Sequence, residues 1–125
     1  IQLEEKGYIK STLVKEGKMA EKAVYSLTEK GEKQFEKLMF ETAAKPIRIF
    51  LDFNAVIVNL DSLTPDDQKE CLTGIENNIK ILREYIEENI HMKENLPDIP
   101  KTGMAVLQQQ YLLAQTIEDW IVSMK

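Results

Sequence analysis

The chain has 125 residues, 43% of them apolar and 30% charged, and a formal net charge of −5. That length supports one domain, or one small module with an accessory helical part. The charged share argues against a membrane protein, and no window is long and apolar enough to span a bilayer. A single cysteine, Cys71, rules out an internal disulfide and fits a reducing cytoplasm, where the protein is expected to reside.

No signal peptide is visible, and Ile1 is not an initiator methionine, so the sequence is expected to begin inside a longer protein. Ile1 to Lys6 is too short for a free-standing helix. It reads as a helix terminus closed by Gly7, which suits the C′ position. Tyr8 to Val14 has strand composition. Lys15-Glu16-Gly17-Lys18 supplies a turn and Met19 to Glu21 a loose loop. Lys22 to Leu27 forms a return strand, with Ala23, Tyr25 and Leu27 on one face and Lys22, Val24 and Ser26 on the other. Two strands this short are marginal alone and need a helical layer beneath them.

Thr28 is expected to cap the next helix, with Glu29 and Glu32 in its first turn and an apolar stripe of Phe35, Leu38, Met39 and Thr42. Pro46 interrupts it and sets a boundary or kink at Lys45. Pro46 to Leu63 is apolar on most sides and is expected to be a buried core helix, much of its cover coming from another subunit. Thr64-Pro65-Asp66-Asp67 is the clearest helix start in the chain. That helix should run to about Met92, with Leu72, Ile75, Ile79, Leu82 and Ile86 forming a seam of alternating three- and four-residue steps. Glu76, Lys80 and Glu84 provide i,i+4 pairs on its wet face. Residues 93–103 hold Pro97, Pro100 and Gly103 and read as a loop. A last helix, from about Thr102 to Lys125, places Leu107, Tyr111, Ala114, Ile117, Ile121 and Met124 on one face with Trp120 beside them.

The expected fold class is therefore α+β, mostly α, with a two-stranded hairpin followed by long helices. Residues 1–45 form a first part and 46–125 a helical dimerisation part. Phe50, Phe53, Leu72, Ile75, Ile79, Leu82, Ile86 and Trp120 are the residues expected at the dimer interface.

Catalytic chemistry finds little support. His91 is alone near a helix end and reads as a surface or capping residue. Cys71 adjoins the seam as a buried thiol and is too far from His91 to share a metal. Asp66 and Asp67 are explained as acids at a helix start. The five glycines are scattered and make no phosphate loop, and no Gly-x-Ser-x-Gly nucleophile motif occurs. No enzyme activity, cofactor or metal is expected. Trp120 and Tyr111 read as aromatic packing at a subunit interface ahead of a ligand pocket.

Charge distribution points elsewhere. Residues 1–33 hold Lys6, Lys10, Lys15, Lys18, Lys22, Lys30 and Lys33 against six glutamates, a net of +1, which leaves −6 for the remainder. Phosphate contacts act at short range in salt, so a locally basic surface on an acidic protein can still bind DNA. Lys15, Lys18 and Lys22 at the hairpin tip are the candidate contacts.

The run Leu3-Glu4-Glu5-Lys6-Gly7-Tyr8-Ile9, the gap with Gly17 and Lys18, and Tyr25-Ser26-Leu27-Thr28-Glu29-Lys30-Gly31 together resemble the PadR family of bacterial transcription regulators. The match covers about a quarter of the chain, and the helical remainder agrees in pattern. The resemblance implies a winged helix-turn-helix whose wing is this hairpin. It also implies a cytoplasmic homodimer that binds double-stranded operator DNA, usually as a repressor, and is sometimes released by a small-molecule effector. Ala20, Glu21 and Lys22 stand where the family often carries arginine. Most of the recognition helix is expected to lie upstream of Ile1, leaving this stretch without sequence readout. The competing expectation is a helical protein–protein interaction module that does not bind DNA.

Overall fold

In the computed structural model, which describes residues 2–14 and 22–125, the chain divides into two units, Ile1–Ile49 and Phe50–Lys125. The fold is mostly helical α+β.

The first unit holds α1 (Gln2–Glu5), β1 (Ile9–Val14), β2 (Lys22–Leu27) and α2 (Glu29–Ala43). Gly7 sits at φ 79°. Its amide donates to the Glu4 carbonyl and the Tyr8 amide to the Leu3 carbonyl, both at 3.0 Å. This is a Schellman closure, and it depends on a residue without Cβ strain at positive φ. The strands pair antiparallel from Ile9↔Leu27 to Val14↔Lys22. The turn expected over 15–18 and the loop over 19–21 lie outside the described residues.

The base of the hairpin is tied to both helices by Thr28. Its hydroxyl accepts from the Gly31 amide at 3.0 Å, capping α2 as expected. The same hydroxyl donates to the Gly7 carbonyl, and the Thr28 amide donates to the Tyr8 carbonyl at 3.0 Å. A Cβ built on Gly31 would lie 1.8 Å from the Tyr8 oxygen. Thr-x-x-Gly thus brings the first turn of α2 against the connection between α1 and β1, where no larger side chain fits. Gly31 is the one buried residue among those described in this unit. The apolar stripe of Phe35, Leu38 and Met39 forms on α2 and stays about half exposed.

The buried helix expected over Pro46 to Leu63 does not form. Residues 46–52 are not helical, and only a short α3 (Asn54–Val58) and a 3-10 turn (Leu60–Ser62) follow. Ile47, Ile49 and Phe50 are 91%, 76% and 84% exposed. The physical reason is lack of cover. β-Branched and aromatic residues have weak helix propensity, and a short helix needs a packed face to persist. Nothing among the described residues supplies that face, and Pro46 and the restricted Lys45 break continuity with α2. Asn59 bonds back to the Ala55 carbonyl at 2.7 Å as α3 ends, and Leu60 drops into the core.

The rest of the second unit is a hairpin of α4 (Pro65–Glu94) and α5 (Lys101–Met124). The Thr64 hydroxyl accepts from the Asp67 amide at 3.2 Å, and Pro65 occupies the first turn, as the sequence predicts. Leu72, Ile79, Ile86 and Ile90 of α4 meet Ala114 and Ile121 of α5, and Ile121 is fully buried. Two polar ties cross between the helices. Arg83 bonds Glu118 and, within α4, Glu87 at 3.0 Å; Lys125 bonds Glu76 at 2.8 Å. Partners later on α4 face earlier positions on α5, so the helices run antiparallel.

Two outcomes follow. In Gly31→Ala, the added methyl must displace backbone; the first unit should lose about 3 kcal/mol, read as lost hydrogen-exchange protection at the hairpin amides. The hydrogen bond from Lys125 holds the Glu76 carboxyl below its usual range; burial opposes this, and the charges of Lys125 and Lys80 assist it. A depressed folded value stabilises above the unfolded value and loses that contribution as pH falls through the folded one. Chemical denaturation below about pH 4.3 should therefore show wild type losing stability more steeply than Glu76→Gln.

Candidate nucleic-acid interface

Strand alternation sorts the hairpin into two faces. Ile9, Leu13, Ala23, Tyr25 and Leu27 share one with Ser11, and Lys10, Thr12, Val24 and Ser26 share the other. The split of Ala23, Tyr25 and Leu27 from Val24 and Ser26 matches the sequence reading. The Ser11 hydroxyl donates to the Glu4 carboxylate at 2.8 Å, tying β1 back to α1. The polar face carries the exposed ammonium of Lys10 at the base of the hairpin.

Of the predicted contacts, Lys15 and Lys18 lie outside the described residues. The backbone of Lys22 pairs with Val14 at the far end of the ladder, and its side chain is likewise outside them. Lys10 was not singled out from the sequence, although period-two alternation places it on the strand face of Lys22. A cation there, with the short hydroxyls of Thr12 and Ser26, suits phosphate contact, which positions a protein on a duplex without reading bases.

A second cationic feature flanks the hairpin. Tyr8, Glu29, Lys30, Lys33, Gln34 and Lys37 line a groove of about 470 Å³ along α2. The three lysines recur at helical spacing on one side of α2. Lys30 reaches across to the connection between α1 and β1: its ammonium donates to the Lys6 carbonyl at 2.8 Å and lies 5.1 Å from the Tyr8 ring centroid. Lys37 leans toward Glu41 at 3.9 Å, an exposed pair of small energetic weight. From the sequence, Lys33 counts only toward local charge, and Lys30 stands at an unspecified position of the Thr-x-x-Gly run.

The residues expected at a subunit interface separate into three groups. Leu72, Ile79 and Ile86 are buried within the chain, against α5. Ile75 and Phe53 are half-buried, and Phe53 stacks on Trp120 with centroids 6.0 Å apart. Phe50, Leu82 and Trp120 are exposed. Ile75, Ile79 and Leu82 join Leu51, Phe53 and Ile117 around an apolar depression of about 260 Å³. Ile79, Leu82 and Ile86 border a second of about 380 Å³ with Tyr85, Leu113 and Ala114. Tyr111 packs on the core, and Cys71 is half-buried beside it. No cluster of three metal-ligating side chains occurs among the described residues. No helix among them is long and apolar enough to cross a membrane.

No protein-family model and no curated protein matches the sequence. Solved structures do. Over 98% of this chain, the fold is similar to that of Bacillus subtilis PadR, solved in complex with operator DNA, with a TM-score of 0.80 at 17% identity over 71% of that chain. It is similar to smu.1604c from Streptococcus mutans UA159, with a TM-score of 0.66 at 18% identity, covering 98% of this chain and 71% of that one. It is also similar to the PadR-like transcriptional regulator BC1756 from Bacillus cereus, with a TM-score of 0.66 at 17% identity, covering 98% and 67%. With its antiparallel hairpin between helices and its long C-terminal helical pair, the chain has the winged-helix fold of the PadR-like regulators.

Proposed function

We propose that this chain belongs to a PadR-family transcription regulator that binds operator DNA as a homodimer in the cytoplasm and carries out no catalysis. The observation that carries the reading is the likeness of hairpin, flanking helices and long helical pair to a regulator solved on its operator. The first unit is the DNA-binding half. Its hairpin is the wing, which lays Lys10, Lys15, Lys18 and Lys22 along the sugar-phosphate backbone. The second unit is the self-association half. Two apolar depressions on its α4 and α5 surface and the exposed Phe50, Leu82 and Trp120 support that role. A contiguous apolar area of this kind on a free surface favours protein–protein contact. The acidic excess sits outside the wing, so electrostatic repulsion from DNA is weakest where contact is made. A repressor role follows the usual behaviour of the family that the sequence resembles.

The protein with all of its native residues should retard a duplex carrying its own promoter, with affinity falling about a thousandfold between 50 and 200 mM salt. Reversing Lys10, Lys15, Lys18 and Lys22 to Glu should abolish retardation and leave the association state unchanged. Wild-type protein that self-associates but does not shift the duplex at low salt would instead favour the interaction-module reading.

Sedimentation at micromolar concentration should give a dimer. Leu82→Glu, which places a charge on the apolar depressions, should shift it toward monomer with far-UV circular dichroism retained. A stable wild-type monomer would contradict the dimer.

A further inference from the structure

Lys30 stands in the first turn of α2, two residues after its cap. A cation there opposes the helix dipole, which favours negative charge at an N-terminus. Its geometry shows what offsets that cost. The ammonium leaves its own helix and donates to the Lys6 carbonyl at 2.8 Å, where α1 ends and carbonyls lack helical partners. It lies over the Tyr8 ring, 5.1 Å from the centroid, within the range of a cation–π contact. The stem passes Gly7, where a Cβ would meet the Lys30 side chain at 3.8 Å. One side chain thus contacts Lys6 and Tyr8 and passes beside Gly7 in the connection between α1 and β1.

We propose that Lys30 is a positioning residue for DNA binding, stapling the C-terminal end of α1 to α2 and so setting the direction in which α1 is presented to the duplex. The proposal rests on the function proposed above, since the direction of α1 matters only if the first unit meets DNA. The Thr28 and Gly31 contacts hold the same connection through backbone groups and remain when Lys30 is changed. Removing the ammonium therefore loosens the end of α1 without dissolving the hairpin. Because the ammonium is already engaged by the Lys6 carbonyl and the Tyr8 ring, it displaces no counterion from a phosphate. Its contribution to affinity is independent of salt.

The test uses the protein with all of its native residues, Lys30→Met to remove the charge while keeping an apolar stem, and Lys30→Arg to restore a cation. In Lys30→Met, the Gly7 and Tyr8 amides should exchange about three- to tenfold faster, while hairpin amides at Val24 and Tyr25 keep their protection. Affinity for the promoter duplex should fall about fivefold with an unchanged slope of log affinity against log salt, and Lys30→Arg should recover most of both effects. A slope reduced by about 0.9 would make Lys30 a direct phosphate contact and overturn the proposal. Unchanged exchange at Gly7 and Tyr8, or unchanged affinity, would overturn it as well. If Lys30→Met loses the hairpin altogether, Tyr8→Leu, which removes only the ring contact, should give a smaller loss of the same kind; no loss there counts against the staple. Failure of the DNA reading itself is distinguishable, because wild-type protein would then not shift the duplex at all.

Discussion

The approach of Gly31 to the Tyr8 carbonyl is the contact on which the first unit depends. A two-stranded ribbon is marginal on its own, and among its described residues this unit buries no large side chain. What holds the ribbon at a defined angle is backbone hydrogen bonding at its base. The Thr28 amide and hydroxyl reach Tyr8 and Gly7, and the Thr28 hydroxyl caps α2. These bonds close only if the first turn of α2 comes within van der Waals distance of the preceding connection, and only glycine at position 31 permits that. The Thr-x-x-Gly spacing is thus a steric requirement before it is a family signature. For the DNA contact proposed above, this fixed angle matters more than any one lysine, since a mobile cation loses in entropy what it gains in charge contact.

The second unit solves a different problem. One antiparallel helix pair has a single seam, and here the seam is consumed within the chain, with Ile79 and Ile86 packed against Ala114 and Ile121. Arg83 with Glu118 and Lys125 with Glu76 cross the same junction. These partly buried pairs set register more than they add stability, because desolvation offsets much of their attraction. What is left over is apolar area flanking the seam. Leu82 serves both sides: it belongs to the heptad pattern of α4 and borders the two apolar depressions while remaining half exposed. That uncovered surface is what the proposed self-association would cover.

Local signals were legible in the sequence wherever a residue acts on its own neighbours. Thr28 and Thr64 as caps, Pro65 in a first turn, Gly7 at a helix end and the alternation of Ala23, Tyr25 and Leu27 all depend on contacts a few residues away. The structure has them as read. The failure at Pro46 to Leu63 comes from non-local physics. An apolar run becomes a helix when something covers it, and hydrophobicity alone does not say whether cover exists. At the site, the turn and its Lys15 and Lys18 lie outside the described residues, and Lys10 could have been added from strand period. Lys30 could not. Its partners, Lys6 and Tyr8, are 24 and 22 positions away, and in the sequence it is one more lysine in an amphipathic helix. The reason for Gly31 was hidden for the same cause: a close approach between segments leaves no periodic trace.

The proposed DNA-binding surface is the ribbon with the adjoining end of α1. Titrating isotopically labelled protein with a generic duplex at low salt, and following backbone amide shifts, addresses this directly. Perturbations should concentrate at Ile9–Val14, Lys22–Leu27 and the end of α1, fade as salt is raised, and leave α5 unmoved. Shifts confined to α4 and α5, or none at any ratio of duplex to protein, would rule out DNA contact through the ribbon.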